Sequence, residues 1–246
     1  MRIRNILFSA AALAGAVMAT PASATVIRAD LSGINYESGN IYGGVGVTSS
    51  SFVEIGPAGR FLFNGTNLGS GRAFSALTFC VDIFKAVDGG DYTITPLSSI
   101  VSNVVKQQQL AALVTNAAGA INSALNLDAR NFTAAALQLA IWEVLYETGT
   151  SNYSVASGNF FTFGNSDTNN FFVPLWGEAN RYLANITNGT WTGSIGRTSI
   201  LFSNTAQSQI FLNPGIPEPA GWMMMIAGFG LVGGALRRRP AKVAVA

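Results

Sequence analysis

The sequence predicts an α+β fold: a single β-rich domain with a helical region inserted into it. Three observations carry this expectation. Residues 25–95 are rich in Gly, Ser and Asn, with short runs of β-branched and aromatic residues between them, which is the composition of strands and turns. Residues 98–188 hold three stretches whose apolar residues recur at helical spacing. Residues 190–212 return to short apolar runs. Strands, then helices, then strands, with no internal repeat, describe one core. The roughly 190 residues between 25 and 216 are enough to bury it without disulfide staples.

In order along the chain, strands are expected to include Ser51–Ile55, Phe61–Phe63 and Ala73–Phe84, with turns at Gly43-Gly44-Val45-Gly46 and Asn64-Gly65-Thr66-Asn67. The first helix is expected over Ser98–Asn116, with Val104, Leu110, Leu113 and Val114 as its apolar positions. The second opens at Asn131, a suitable N-cap, and runs through Tyr146 to stop near Gly149. A polar loop dotted with aromatics covers Ser151–Asn170. Pro174 then opens the third helix, which ends at Asn188-Gly189, with Pro at the start and Gly at the end. Strands over Ser199–Ser203 and Gln207–Leu212 complete the domain.

The two ends read differently. Met1-Arg2-Ile3-Arg4-Asn5 is basic, Ile6–Ala19 is apolar, and Thr20-Pro21-Ala22-Ser23-Ala24 is small and ends in an A-x-A site. That order is a secretory signal peptide over residues 1–24, read by the Sec export machinery and cut between Ala24 and Thr25. An uncut anchor is the alternative; the apolar stretch is short for one. At the other end, Pro217-Glu218-Pro219 breaks regular structure. Ala220–Leu236 then runs for seventeen residues without a charge and meets Arg237-Arg238-Arg239. This is a short transmembrane helix over residues 220–236, its arginines in the cytoplasm and the body outside.

Composition excludes several functions. Six of the fourteen basic residues lie in the two ends, so the body keeps eight basic against eleven acidic residues. It lacks the clustered basic face that nucleic-acid binding needs. With no histidine, Ser-His-Asp and Cys-His catalysis and most zinc sites are excluded. Asp82, Asp88 and Asp91 lack the spacing of a calcium loop and read as a solvated turn. No cofactor, metal or enzymatic activity is expected. Glu143 and Glu147 are expected to be exposed on the second helix.

The residues Pro217-Glu218-Pro219, Trp222, Met224-Met225-Ile226, Gly228-Phe229-Gly230 and Arg237-Arg238-Arg239 resemble the PEP-CTERM sorting signal of exported proteins from Gram-negative, biofilm-forming bacteria. The resemblance covers residues 217–246, and the chain departs from it in continuing through Pro240–Ala246. It implies a transient inner-membrane anchor and an exosortase-type transpeptidase that cuts near Pro217–Pro219. The released body would then reach the cell surface or the extracellular matrix.

One constellation in the body could carry chemistry. Cys80 is the single cysteine, so it has no disulfide partner, and an unpaired cysteine in an exported chain needs an explanation. Gln138 shares a helical stripe with Ile141, Trp142 and Leu145, where an unpaired carboxamide costs about 1–3 kcal/mol. Attack of the Cys80 sulfur on the Gln138 carboxamide, with loss of ammonia, would explain both as an internal thioester. Phe79 and Trp142 are the expected shield against water. The other reading of the same residues is plain packing, with Cys80 as a small core hydrophobe and Gln138 bonded to a backbone carbonyl.

Phe79-Cys80-Val81 and Leu137-Gln138-Leu139-Ala140-Ile141-Trp142 together resemble the two motifs of the thioester domains of bacterial surface adhesins, over about Leu77–Tyr146. The resemblance implies covalent attachment to amine or hydroxyl groups on a surface target of unknown identity. A non-reactive structural protein of the biofilm matrix or envelope is the alternative.

Overall fold

The computed structural model describes residues 24–164, 169–213, 226 and 228–230. The expected signal peptide up to Ser23 lies outside the described residues, as do Pro217, Glu218, Pro219, Trp222 and Arg237, Arg238 and Arg239. Of the expected membrane span only residues 226 and 228–230 are described, and they are helical. No helix among the described residues is long and apolar enough to cross a membrane.

The body is α+β. Among the described residues, eight strands form one antiparallel sheet: β1 (Val26–Ala29), β2 (Ile34–Val47), β3 (Phe52–Asn67), β4 (Ala73–Cys80), β5 (Gly90–Pro96), β6 (Phe160–Phe163), β7 (Thr198–Phe202) and β8 (Gln209–Leu212). Their order is β1-β5-β7-β8-β4-β3-β2-β6, and β1 also pairs with β3. Six strands therefore close on themselves as a barrel, which removes their open edges, while β2 and β6 extend beyond it. Inside, Phe63 meets Tyr92 and Phe74, and Phe74 meets Phe211, in edge-on ring contacts, a favoured aromatic geometry.

Neither expected turn is one. Gly43–Gly46 lies within β2, where it pairs with both β3 and β6. A Cβ at Gly44 or Gly46 would fall 2.3 Å from the Phe163 ring or 2.4 Å from the Phe161 ring. These glycines let two aromatic rings of the neighbouring strand lie on the backbone, a use of Gly that sequence punctuation does not distinguish from a turn. Asn64–Asn67 continues β3, because β3 must run on to reach β4 on one side and β1 on the other.

Between β5 and β8 come α1 (Val104–Asn122), α2 (Leu127–Tyr146) and α3 (Asn169–Thr187). Asn103 caps α1, its Oδ1 accepting from the Val105 and Lys106 N–H groups. The start of α2 lies five residues before the expected one. Asn126 is its cap, accepting from the Ala129 N–H at 2.8 Å, and Asn131 instead accepts from the Gly39 N–H of β2 at 3.0 Å. Pro174 lies inside α3, not at its start. The helix does end before Gly189, which adopts φ +78°, a left-handed conformation suited to Gly.

The central helix is α2. Every residue from Thr133 to Val144 is buried, so α2 is covered on all sides and packs against α1, α3, β2 and β3. Its position decides what its polar side chains can reach.

Candidate functional site

Cys80 is the last residue of β4 and lies directly across from Gln209 of β8. The next bond of that ladder runs from the Val81 N–H to the Ser208 carbonyl at 3.0 Å. Cys80 and Gln209 therefore form a non-hydrogen-bonded pair, the type that brings opposing side chains closest. On the other side, pairing of β4 with β3 ends at Phe61–Thr78, which leaves the Cys80 N–H and C=O without a strand partner.

Gln138 of α2 fills that gap. Its Oε1 accepts from the Cys80 N–H at 2.8 Å and its Nε2 donates to the Cys80 carbonyl at 2.9 Å. The side chain acts as one peptide unit of a missing strand, and both of its polar atoms are used in doing so. Two turns further along α2, the Tyr146 hydroxyl accepts from the Ile83 N–H and donates to the Val81 carbonyl, each at 3.0 Å. Together these two side chains hold the 80–83 segment on the helix. Gln138 does meet Cys80, as expected, but at the peptide and not at the sulfur.

A different carboxamide meets the sulfur. Gln207, two residues before β8, brings its Oε1 to 2.5 Å from Cys80 Sγ. Its Nε2 donates to the Asp82 carbonyl at 2.9 Å, which requires the oxygen to face the sulfur. Ordinary O–H···O bonds are about 2.7–2.8 Å long, and sulfur is larger than oxygen. A separation of 2.5 Å is thus shorter than an ordinary thiol hydrogen bond and sets the Gln207 carboxamide directly against the sulfur.

Both residues are buried, Cys80 at 3 % and Gln207 at 8 % exposure. Burial pushes the Cys80 thiol far above its ordinary range; the Gln209 hydrogen bond opposes that rise and the Asp82 charge adds to it. The resting sulfur is therefore neutral, and its two hydrogen-bond partners are uncharged carboxamides.

The two residues expected to shield the site lie on different sides of β4. Trp142 is buried and, with Phe61 and Tyr36, lines a cavity of about 470 Å³ whose wall also includes Cys80 and Gln207. Phe79 is equally buried, but successive strand residues point to opposite faces, so it lies on the far side of β4 from the sulfur. At one wall of the cavity stand Glu54 and Lys85, the latter paired with Asp82 at 3.0 Å.

Glu143 corrects another expectation, since it is fully buried. Its Oε1 accepts from the Ser154 N–H at 2.8 Å, and its Oε2 has no partner among the described residues. Burial pushes its carboxyl up to about 7, with the Ser154 bond pulling it down and the Glu147 charge adding to the rise. The folded protein then holds this proton more tightly than the unfolded chain does. Stability consequently falls as pH rises from the ordinary carboxylate range through about 7. Glu143→Gln is expected to flatten that decline by an amount of order 2 kcal/mol, measured by urea unfolding at about pH 5 and about pH 8.

Sequence reasoning missed Gln207 and its neighbour Gln209. The available signal was their spacing: two glutamines at i and i+2 beside an apolar strand share one face, and a polar pair on a buried face asks for partners. Comparison of the chain with protein-family models, with curated proteins and with solved structures finds no match.

Proposed function

We propose that residues 25–216 are an exported, adhesin-like domain with an internal thioester between Cys80 and Gln207, which attaches the protein covalently to amine or hydroxyl groups of a surface target. The reading rests on one observation above the others, the 2.5 Å approach of Gln207 Oε1 to Cys80 Sγ in a buried site. In forming the bond, the thiol sulfur adds to the Gln207 carboxamide carbon, the C–N bond breaks, and the thiol proton leaves with the amide nitrogen as ammonia. An amine that reaches the carbon through the cavity then takes the acyl group. Its displaced proton goes to sulfur, and an amide to Gln207 replaces the thioester. The bond is used once per molecule, so the protein is not an enzyme. The role expected for Gln138 passes to Gln207, and Gln138 becomes the clamp that aims Cys80.

The same proposal includes the route of export. A signal peptide cut between Ala24 and Thr25, a transient inner-membrane anchor over residues 220–236 and exosortase processing near Pro217–Pro219 would deliver the body to the cell surface or biofilm matrix. The residues supporting that route are the tripartite tail and the A-x-A site.

Intact-mass measurement of the purified body tests the central claim. The expected mass is lower by one ammonia than the sequence requires, with Cys80 inert to alkylation until methylamine is added. A full mass with freely alkylated Cys80 would leave the non-reactive matrix protein as the function.

A further inference from the structure

The Cys80–Gln207 pair is faced by a third carboxamide. Gln209 Nε2 lies 3.4 Å from Cys80 Sγ and 3.4 Å from Gln207 Oε1. Its own Oε1 accepts from the Thr78 hydroxyl at 3.0 Å. Thr78 and Cys80 are two apart on β4 and share a face with Gln209 across the ladder. The side chain is 1 % exposed, so no water competes for these bonds. Gln207 offers Gln209 an acceptor, and this dictates that the Gln209 NH₂ points at the reacting pair.

We propose that Gln209 is the hydrogen-bond donor that stabilises the Gln207 carbonyl oxygen and the Cys80 sulfur while the thioester forms and while an amine opens it; this rests on the thioester reading above. Negative charge develops at two places in both directions of the reaction: on Oε1 as the carbon becomes tetrahedral, and on sulfur as the S–C bond forms or breaks. An NH₂ group has two N–H bonds, one for each. The other carboxamides turn their NH₂ groups elsewhere, that of Gln138 to the Cys80 carbonyl and that of Gln207 to the Asp82 carbonyl. Among the three glutamines, Gln209 alone turns a donor to both reacting atoms. The 3.4 Å separation from Gln207 Oε1 is longer than the usual 2.7–3.2 Å of N–H···O bonds, and it shortens as charge builds on the acceptor. A buried donor held in place beforehand loses little to reorganisation.

The step balances without a further reagent. In formation, S–H and C–NH₂ become S–C and ammonia; in opening, the amine N–H and S–C become N–C and S–H. Gln209 donates hydrogen bonds throughout and gains or loses no proton.

The test compares the wild-type body with Gln209→Met, which keeps the length of the side chain and lacks the donor, and with Thr78→Val, which releases the Gln209 amide without removing it. Two readouts are taken on folded protein, verified by its melting transition. They are the rate of methylamine incorporation and the carbonyl stretch of the thioester after carbon-13 labelling of glutamine. Removing one oxyanion donor commonly slows a reaction about 100- to 1000-fold, and at this longer separation the expected slowing for Gln209→Met is about 10- to 100-fold, with Thr78→Val between it and wild type. The carbonyl band moves to higher wavenumber in Gln209→Met because a bond to its oxygen is lost, a change that a merely structural role would not produce.

If Gln209→Met does not fold, or folds with its full mass, Thr78→Val decides by the same two readouts. Wild-type rates and an unmoved band in the deciding variant, beside a wild-type body lighter by one ammonia, overturn the role of Gln209 and leave the thioester standing. A wild-type body at full mass overturns both.

Discussion

Gln207→Leu is expected to yield a folded body at its full unmodified mass, with Cys80 open to alkylation and no incorporation of methylamine. The expected effect is complete, because Gln207 supplies the carbon of the cross-link and no other carboxamide among the described residues has its oxygen on the sulfur. Leu fills a similar volume, so the cost to packing is small. The unpaired Asp82 carbonyl, which loses the Gln207 NH₂, costs about 1–3 kcal/mol. Mass spectrometry of the purified variant, before and after alkylation, reads the outcome directly. A variant that still loses ammonia would return the partnership to Gln138.

Gln138→Leu is expected to act in a different way, through stability. Its two hydrogen bonds satisfy the Cys80 N–H and C=O where strand pairing ends. Removing the carboxamide leaves both groups buried and unpaired at about 1–3 kcal/mol each. Leu is more easily buried than Gln, which returns a part, so the net loss is expected at about 2–4 kcal/mol in urea unfolding. The ammonia loss persists in the molecules that fold, since the Gln138 oxygen and nitrogen are turned to the peptide. The pair of variants therefore separates the clamp from the cross-link: one abolishes the chemistry, the other changes stability with the chemistry retained.

Much of this architecture could be read along the chain. The order of strands, helices and strands followed from where β-branched runs gave way to helical spacing, except that β6 falls between α2 and α3 where a loop was expected, and the last two strands fell within two residues of the expected places. Boundaries failed where one residue type serves two purposes. Asn126 and Asn131 both suit a helix cap, and tertiary position assigned Asn131 to the Gly39 N–H instead. The glycines of β2 mark aromatic rings stacked on a strand, which look in sequence like a turn. Glu143 was expected outside because it lies on the helix face away from Gln138, whereas α2 is enclosed on every side from Thr133 to Val144; a pattern that assigns one face to solvent cannot detect a helix stretch without one.

The site divides in the same way. By itself the sequence determined that Cys80 lacked a disulfide partner, that Gln138 sat on a helix stripe where a carboxamide had to be satisfied, and that the two belonged together. Local periodicity carries that much, since it assigns each side chain to a face. Only the tertiary structure decided which atoms meet. Gln207 lies 127 positions from Cys80 and reaches it through the β4–β8 register, whereas Gln138 comes from a helix that crosses where the β3–β4 ladder ends. A carboxamide has an oxygen and an NH₂ on a flexible stem, and its orientation is set by whichever partners surround it. Those partners are main-chain groups of Cys80 in one case and of Asp82 in the other, and their directions exist only once the barrel has closed.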